Sequence, residues 1–519
     1  MTRNRAAIGV GLAPARAARP IRPGERIHVI GAAGAGASAA ALHARWAGAE
    51  VSACDVGGPS PYTAAFAGDA IPLATGHAAD HVTTGPRPDR VAVTKALTAI
   101  DPDHPELRAA RAAGIPLEPW QQVVADAAHA RRLVAVAGTY GKSTTAGWLV
   151  HVLVAAGRDP SAFVGALLSP SLTGGVAATA RRGGGAEFVV EADEYAGNFD
   201  AYRPGIAAVT NVDWDHPDVY ADRAAVEQTI AAWLLAGVGE DADRHPTLVV
   251  NTGDPGIASM LARLGAWPGK VVGVELRQAG DAGAAERRSP EPAGAAVRDV
   301  VGRVVEAAPG GTTLEIEGLG TAGAGPVRVR LAMAGRHNAA NALVVAGTAL
   351  ALGLAAEAIA SGLGSFAGVG RRLERKGEAA GVTVYDDYGH HPSAIRATLD
   401  AVRQREPGRP VWAVYEPLTF HRTAALLDEF AAALAEADRV VVADIWAGRD
   451  RDTSITSASA LAEAVSIRRP LLVVAAPGSV EATAAWLADA VEPGDVVLVM
   501  GGGRSYRIAE LLLARLEGS

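Results

Sequence analysis

Short apolar runs, each closed by a glycine turn and followed by a longer helical pattern, recur three times along the chain. They read "RIHVIGAAGAGASAAALHARWAGAEVSACD", "RLVAVAGTYGKSTTAGWLVHVL" and "VTVYDDYGHHPSAIRATLDAVRQ". Short strands alternating with helices predict an α/β protein with largely parallel sheets. Two further apolar runs, "EFVVEADE" and "GIAAVTNVDWDH", end in acids or histidine. Ligands of open α/β sheets gather at such carboxyl ends of strands.

The pattern changes after these runs. From about residue 279 to 298 there is no periodicity, which predicts a surface loop or insertion. "TTLEIEG" and "VRVRLAMAG" then read as strands, "HNAANALVVAGTALALGL" as a helix and "SFAGVGRRLERKG" as a connector. A last α/β unit follows in "RPVWAVYEP", "AALLDEFAAALAEADRVVVADIW" and "DVVLVMGGG". Boundaries near 130 and 364 divide the chain into domains at 24–130, 131–363 and 364–519, after a flexible extension over 1–23. At 519 residues the chain is too long for one core, and about three units is the ordinary expectation.

Composition narrows the function. Half-apolar and one-fifth charged residues describe a soluble globular protein, and a net charge of −8 argues against a nucleic-acid footprint. No apolar run approaches the roughly 20 residues of a membrane helix. The one cysteine, Cys54, excludes an internal disulfide and any multi-cysteine metal cluster, and reads as a small buried hydrophobe of a cytoplasmic protein. The first 23 residues are rich in Ala, Arg and Pro and lack acids, which reads as a disordered extension rather than a transit segment.

The chemistry gathers at the turns. In "AVAGTYGKST" the strand brings the backbone amides around Gly138 and Gly141 to the mouth of a helix, where anions are favoured. Lys142 would meet terminal phosphates and Ser143 would offer its hydroxyl to Mg2+. Val136 stands where the usual phosphate loop has its first glycine, yet one of only four lysines lies at this turn. Downstream, Glu191, Asp193 and Glu194 end one strand, and Asp213, Asp215 and His216 end another, a donor set suited to a serine-bound cation. Gly31, Gly34 and Gly36, with Asp55 about twenty residues beyond, look like a dinucleotide fingerprint with displaced spacing. A hydride-transfer cofactor, a sugar nucleotide or mere close helix packing would each suit that turn. Asp386, Asp387, His390 and His391 share another turn but lack a third zinc ligand at usual spacing. Arg371, Arg372 and Arg422 are candidate anion binders.

Taken in order, "GTYGKST", "EADE", "TNVDWDHPDVY", "GRHNAANA", "GVGRRLE", "DDYGHHP", "EPLTFHRT" and "ADIWAGRDRDT" resemble the Mur ligase family from about residue 26 to residue 510. "DDYGHHP" and "HVIGAAGAGAS" point to the branch that joins L-alanine to UDP-N-acetylmuramate and its relative that ligates recycled tripeptide. The resemblance implies an N-terminal Rossmann-like domain for the UDP-sugar, a central ATPase domain and a C-terminal α/β domain for the amino acid. It also implies an ATP-dependent carboxylate–amine ligase of peptidoglycan synthesis, acting through an acyl phosphate, as monomer or homodimer. On this chain Gly138, Thr139, Gly141, Lys142, Ser143 and Thr144 would hold ATP phosphates, and Ser143, Glu191 and His216 would organise Mg2+. Asn338 would lie by the adenine, Arg372 by the phosphates, and Asp387 with His390 at the ribose. Gly31, Gly34, Gly36, Ser38, Asp55 and Arg422 would serve the substrates.

The chain also departs from the family. Tyr140 stands where this branch usually has His, Ser143 where it has Thr, and Lys95 where small hydroxyl residues are usual. Glu416, Pro417 and Leu418 replace the usual Gln, Pro, His, removing an imidazole near the amino-acid site. Alternatives are a ligase for a tripeptide or another amino acid, an inactive nucleotide-binding homologue, and an NAD-dependent oxidoreductase. The last leaves the second glycine turn unexplained.

Overall fold

A computed structural model of the chain describes residues 8–239, 245–277, 296–321 and 323–518. The first sheet holds β1 (Arg26–Ile30), β2 (Glu50–Asp55), β3 (Leu73–Thr75), β4 (Arg90–Val93) and β5 (Leu117–Pro119), all parallel, in the order β3-β2-β1-β4-β5. Alternation along β1 sends Ile27 and Val29 toward the helices Ala35–Trp46 and Trp120–Ala127, while Ile30 joins the core of the other face.

The second sheet has ten strands: β6 (Arg132–Ala137), β7 (Ser161–Leu168), β8 (Ala178–Arg181), β9 (Glu187–Glu191), β10 (Ile206–Val209), β11 (Thr247–Asn251), β12 (Lys270–Arg277), β13 (Ala296–Ala308), β14 (Gly311–Glu317) and β15 (Val327–Leu331). Their order is β15-β14-β13-β12-β11-β10-β6-β9-β7-β8. The middle is parallel, and β14, β15 and β8 are antiparallel ends. Val134 and Val136 of β6 lie in one core with the helices Lys142–Ala155 and Arg336–Ala351, whereas Leu133, Ala135 and Ala137 lie in the other.

That other core is shared with the first sheet. The helix Ala35–Trp46 is buried along most of its length, as suits its run of alanines, and it lies between the two sheets. Its His43 bonds Ala162 of β7 through Nε2 at 2.9 Å and packs against Phe188 of β9. The first two units are therefore joined through one apolar layer.

The third sheet holds β16 (Glu374–Ala379), β17 (Val382–Asp387), β18 (Val411–Glu416), β19 (Arg439–Ala443), β20 (Val473–Gly478) and β21 (Val496–Gly501), in the order β16-β17-β21-β18-β19-β20. Only β16 runs antiparallel. The expected three-unit α/β architecture is thus present. No described helix is long and apolar enough to cross a membrane.

Two expectations need revision. Of the loop expected at 279–298, residues 279–295 lie outside the described residues, and 296–298 begin β13. The extension was expected to be flexible over 1–23, yet its described part, 8–23, is packed. Ile8 is fully buried, and Ala13 donates to the Leu117 carbonyl at 2.7 Å. Arg16 meets Glu118 and Asp126 at 2.8 Å, and Arg19 meets Glu25 at 2.6 Å. Buried Arg90 also pairs with these three acids. The acid-free arginine segment complements a carboxylate cluster whose position only the fold reveals.

Candidate active site

The turn after β6 is shaped by contacts that leave no room for side chains. Gly138 has φ +130°, and a Cβ there would lie 2.2 Å from Thr210 Oγ1; Gly141, at φ +81°, would meet Asn341 Oδ1 at 2.6 Å. Asn211 Oδ1 accepts from the Tyr140 amide at 3.0 Å, while Thr139 Oγ1 accepts from the Asp213 amide at 2.8 Å. The turn is thereby tied to the end of β10 and opens onto the first turn of Lys142–Ala155.

Lys142 Nζ folds back on its own loop, donating to the Gly138 and Thr139 carbonyls at 2.6 and 3.2 Å and to Glu194 Oε2 at 3.0 Å. Burial alone would pull its pKa down, but Glu194, Asp193 and Glu191 outweigh that and raise it, so it stays charged. Ser143 Oγ donates to Glu191 Oε1 at 3.0 Å, and the Gly165 amide donates to Glu191 Oε2 at 2.6 Å.

His216 gathers with Asp193 and Glu194 rather than with Glu191, the three ligand atoms lying within 4.8 Å of one another. Its backbone is held at φ +57°, a conformation that costs a residue with a side chain about 1–3 kcal/mol. Burial lowers the His216 imidazole to about 4 and lifts the Glu194 carboxyl to about 7. Glu194 Oε1 is buried without a hydrogen-bond partner. A neutral imidazole beside an unsatisfied carboxylate oxygen is a donor set that a hard divalent cation would complete.

The third unit reaches into this site. Arg372 Nη2 donates to Ser143 Oγ at 2.8 Å, its guanidinium lies 5.0 Å from the centre of the Tyr388 ring, and its buried Nε has no partner. A cavity of about 380 Å3 opens between the second and third units, lined by Tyr140, Gly141, Thr144, Asn338, Arg372 and Asp387 among others. Asp387 accepts from the Leu373 and Gly389 amides at 2.7 and 2.6 Å, which locks the turn after β17. Asn338 anchors to the Ala334 carbonyl at 2.8 Å.

Other expected residues take different posts. His390 faces Asp215, 4.0 Å away, rather than the cavity lining, and burial lowers it to about 3. Arg422, expected at the amino acid, is buried: its Nη2 and Nε reach Asp215 Oδ1 at 2.7 and 2.8 Å, Nη2 also stands 3.2 Å from His216 Nδ1, and its Nη1 has no hydrogen-bond partner. Ser38 is fully buried against Thr179 Oγ1 of β8 at 3.1 Å, and a Cβ on Gly36 would strike the Trp120 ring at 2.1 Å. Those two therefore serve packing. Gly31, at φ +81°, and Gly34, the residue before the helix, do form the turn, and Asp55 Oδ2 accepts from the Ala33 amide at 3.0 Å. A second cavity of about 430 Å3 lies between this unit and the second, lined by residues 9 and 12–15, Lys95, Gln121 and the stretch 196–198. Lys95 donates to the Ala196 carbonyl there at 2.7 Å.

Sequence reasoning missed Asn341 and Arg449. Asn341 lies one helical turn beyond Asn338, a spacing visible in "HNAAN". Arg449 pairs with Asp218 at 2.9 Å and lies 4.0 Å from the centre of the Tyr195 ring, a contact with no local signal.

The sequence matches three family profiles in chain order. They are described as the Mur ligase family catalytic domain (26–132), the Mur ligase middle domain (136–349) and the Mur ligase glutamate ligase domain (371–503). A protein of Frankia casuarinae named UDP-N-acetylmuramate–L-alanine ligase is 36% identical over 95% of this chain and 98% of its own length. The chain belongs to the Mur ligase family. Another Mur ligase of the same name, from Kineococcus radiotolerans, is 37% identical over 92% of this chain and 93% of its own. Among solved structures, the UDP-N-acetylmuramate–alanine ligase of Thermotoga maritima shares the fold at a TM-score of 0.73, with 23% identity over 95% of this chain and 99% of that one. A murein peptide ligase of Psychrobacter arcticus aligns at 0.69, with 22% identity over 96% and 99%.

Proposed function

We propose that this Mur ligase uses ATP to join L-alanine to UDP-N-acetylmuramate in the cytoplasm, as a step of peptidoglycan synthesis. The relatives that match nearly its whole length carry that activity in their names. The observation that carries the reading is the convergence of Lys142, Ser143 and Glu191 of the second unit with Arg372 of the third at one cavity.

In this reading a sugar carboxylate oxygen takes the γ-phosphoryl group and ADP leaves. The alanine amine then attacks the acyl carbon, phosphate departs, and an amide remains. Mg2+ would be held by His216, Asp193 and Glu194, with the Ser143–Glu191 pair beside them, and would offset charge between the carboxylate and the phosphates. Lys142 is already poised in a cage of carbonyls and carboxylates that phosphate oxygens can replace. The amides around Gly138 and Gly141 cradle the phosphates, and Arg372 supplies a second cation from the opposite wall. Asn338 and Asp387 line the part of the cavity that suits the nucleoside. Gly31 and Gly34 form the turn, braced by Asp55, and the neighbouring helix N-terminus suits the sugar nucleotide.

Phosphate release by the full chain, with ATP, UDP-N-acetylmuramate and single amino acids, tests the reading. Release requiring both the sugar nucleotide and L-alanine, and abolished by Lys142→Ala, is the expected result. Release independent of the sugar nucleotide would overturn it. Preference for a tripeptide donor would replace the L-alanine assignment, to which the Glu416 and Leu418 departures are relevant.

A further inference from the structure

On the face of the first sheet turned away from the Ala35–Trp46 helix, four side chains of metal-binding type converge. His28 comes from the middle of β1, Cys54 from the end of β2, His81 from the short helix Asp80–Thr83, and Glu106 from the first turn of the helix Pro105–Ala112. Their donor atoms lie within 4.8 Å of one another. Glu106 Oε1 is 3.0 Å from His28 Nε2, 3.0 Å from His81 Nδ1 and 3.4 Å from Cys54 Sγ. Zn–N bonds of about 2.0–2.1 Å and Zn–S bonds of about 2.3 Å space tetrahedral donors about 3.3–3.6 Å apart. The contacts to Glu106 Oε1 are close to or slightly shorter than that spacing and the remaining donor pairs lie within 4.8 Å, so small side-chain shifts would admit an ion.

Burial and charge sharpen the point. Glu106 and Cys54 are 0% exposed and His28 is 2% exposed, in a pocket walled by Ile30, Val82 and Leu107. Glu106 is surrounded by three imidazoles and a thiol, all groups that ligate metals when deprotonated, and a cation among them would balance its charge. A divalent ion with one thiolate, one carboxylate and two neutral imidazoles is a neutral unit.

The surroundings also resemble the outer layer of a metal site. His28 Nδ1 bonds Ser52 Oγ at 2.8 Å, which would fix the ring with Nε2 toward the ion. His77 Nδ1 stands 3.1 Å from Cys54 Sγ and 3.5 Å from Glu106 Oε2, the oxygen that Cys54 Sγ also approaches at 3.5 Å. The two helices that supply ligands span four and eight residues, too short to be stable by themselves.

We propose that His28, Cys54, His81 and Glu106 bind a structural zinc ion, with Ser52 and His77 orienting the ligands from outside. The ion clamps two short helices onto the strands β1 and β2. It has no part in the ligase chemistry, but Cys54 directly precedes Asp55, so the clamp also steadies the strand end that meets the glycine turn.

Metal analysis of the full chain, purified without chelators or a histidine tag, is expected to give about one zinc per chain. Cys54→Ala and Glu106→Gln should lose it, while His77→Ala should keep the fold and weaken zinc binding about 10–100-fold. Cobalt substitution should produce a thiolate-to-cobalt charge-transfer band that Cys54→Ala lacks. Should a ligand variant fail to fold, the wild-type protein still decides: a strong chelator should lower its Tm, and added zinc should restore it. Protein that binds no zinc, and whose Tm neither chelator nor zinc moves, would overturn the proposal and leave a hydrogen-bonded core network. Zinc binding without a thiolate band on cobalt exchange would overturn the ligand set.

Discussion

At the scale of single residues, Lys142 and Arg422 separate two kinds of buried cation. Lys142→Ala removes a charge aimed at the phosphates, and phosphate release is expected to fall at least about 100-fold; because it also strands the buried Glu194 carboxylate, a lower Tm should accompany the loss. Arg422→Ala should cost stability whether or not the guanidinium also meets a substrate. It strands Asp215, whose carboxyl is buried and held well below its ordinary range chiefly against burial by Arg422, so about 3–5 kcal/mol of stability should be lost in denaturant melts. At Glu416, burial lifts the carboxyl to about 7, and Oε2 accepts from the Ser505 amide at 2.7 Å. Glu416→Gln with Leu418→His is expected to change KM for the amino acid several-fold while leaving KM for ATP unchanged, as initial rates would show. The glycine turn after β6 was legible because its residues are contiguous and form a strand–turn–helix. Ser38 was not, because its environment is a strand 141 residues away.

Among elements, the helix Ala35–Trp46 carries a pH dependence. Burial lowers His43 to about 4 in the folded chain, against an ordinary value near 6.5. The unfolded chain therefore binds the proton more readily. The stability owed to neutral His43 is complete above about pH 6.5 and is lost as pH falls toward 4. Thermal melts from pH 7 to pH 4.5 should show a steeper fall for the wild type than for His43→Gln, and equal slopes would count against this role. The parallel sheets were legible in the apolar runs, since a buried strand and its crossover helix have different periods. The strand β16 was hidden inside an expected connector because "ERKGEA" is a charged edge strand with little apolar signal. The packed extension was hidden for a related reason: its partners are acids distant in sequence.

For the whole molecule, the first two units share an apolar layer, whereas the third meets the second through apolar pieces, such as Phe366 stacked on Trp148, together with several polar contacts. These include Arg422–Asp215, Arg449–Asp218, Arg372–Ser143 and the bond from His391 Nε2 to the Trp214 carbonyl at 3.1 Å. Calorimetry of the ligand-free chain is expected to show the third unit melting apart from the other two, and a single cooperative transition would contradict that division. Three-unit organisation was readable from the repeated motif, but which pair is fused was not, because alanines announce a helix without naming its neighbours. The bond from Arg372 to Ser143 has a last consequence. The hydroxyl that would help hold the cation finds its second partner only on the far wall, so it acts as an interlock. Seating of the third unit therefore completes the surroundings of one hydroxyl on the second, so the two units are coupled at a single side-chain oxygen.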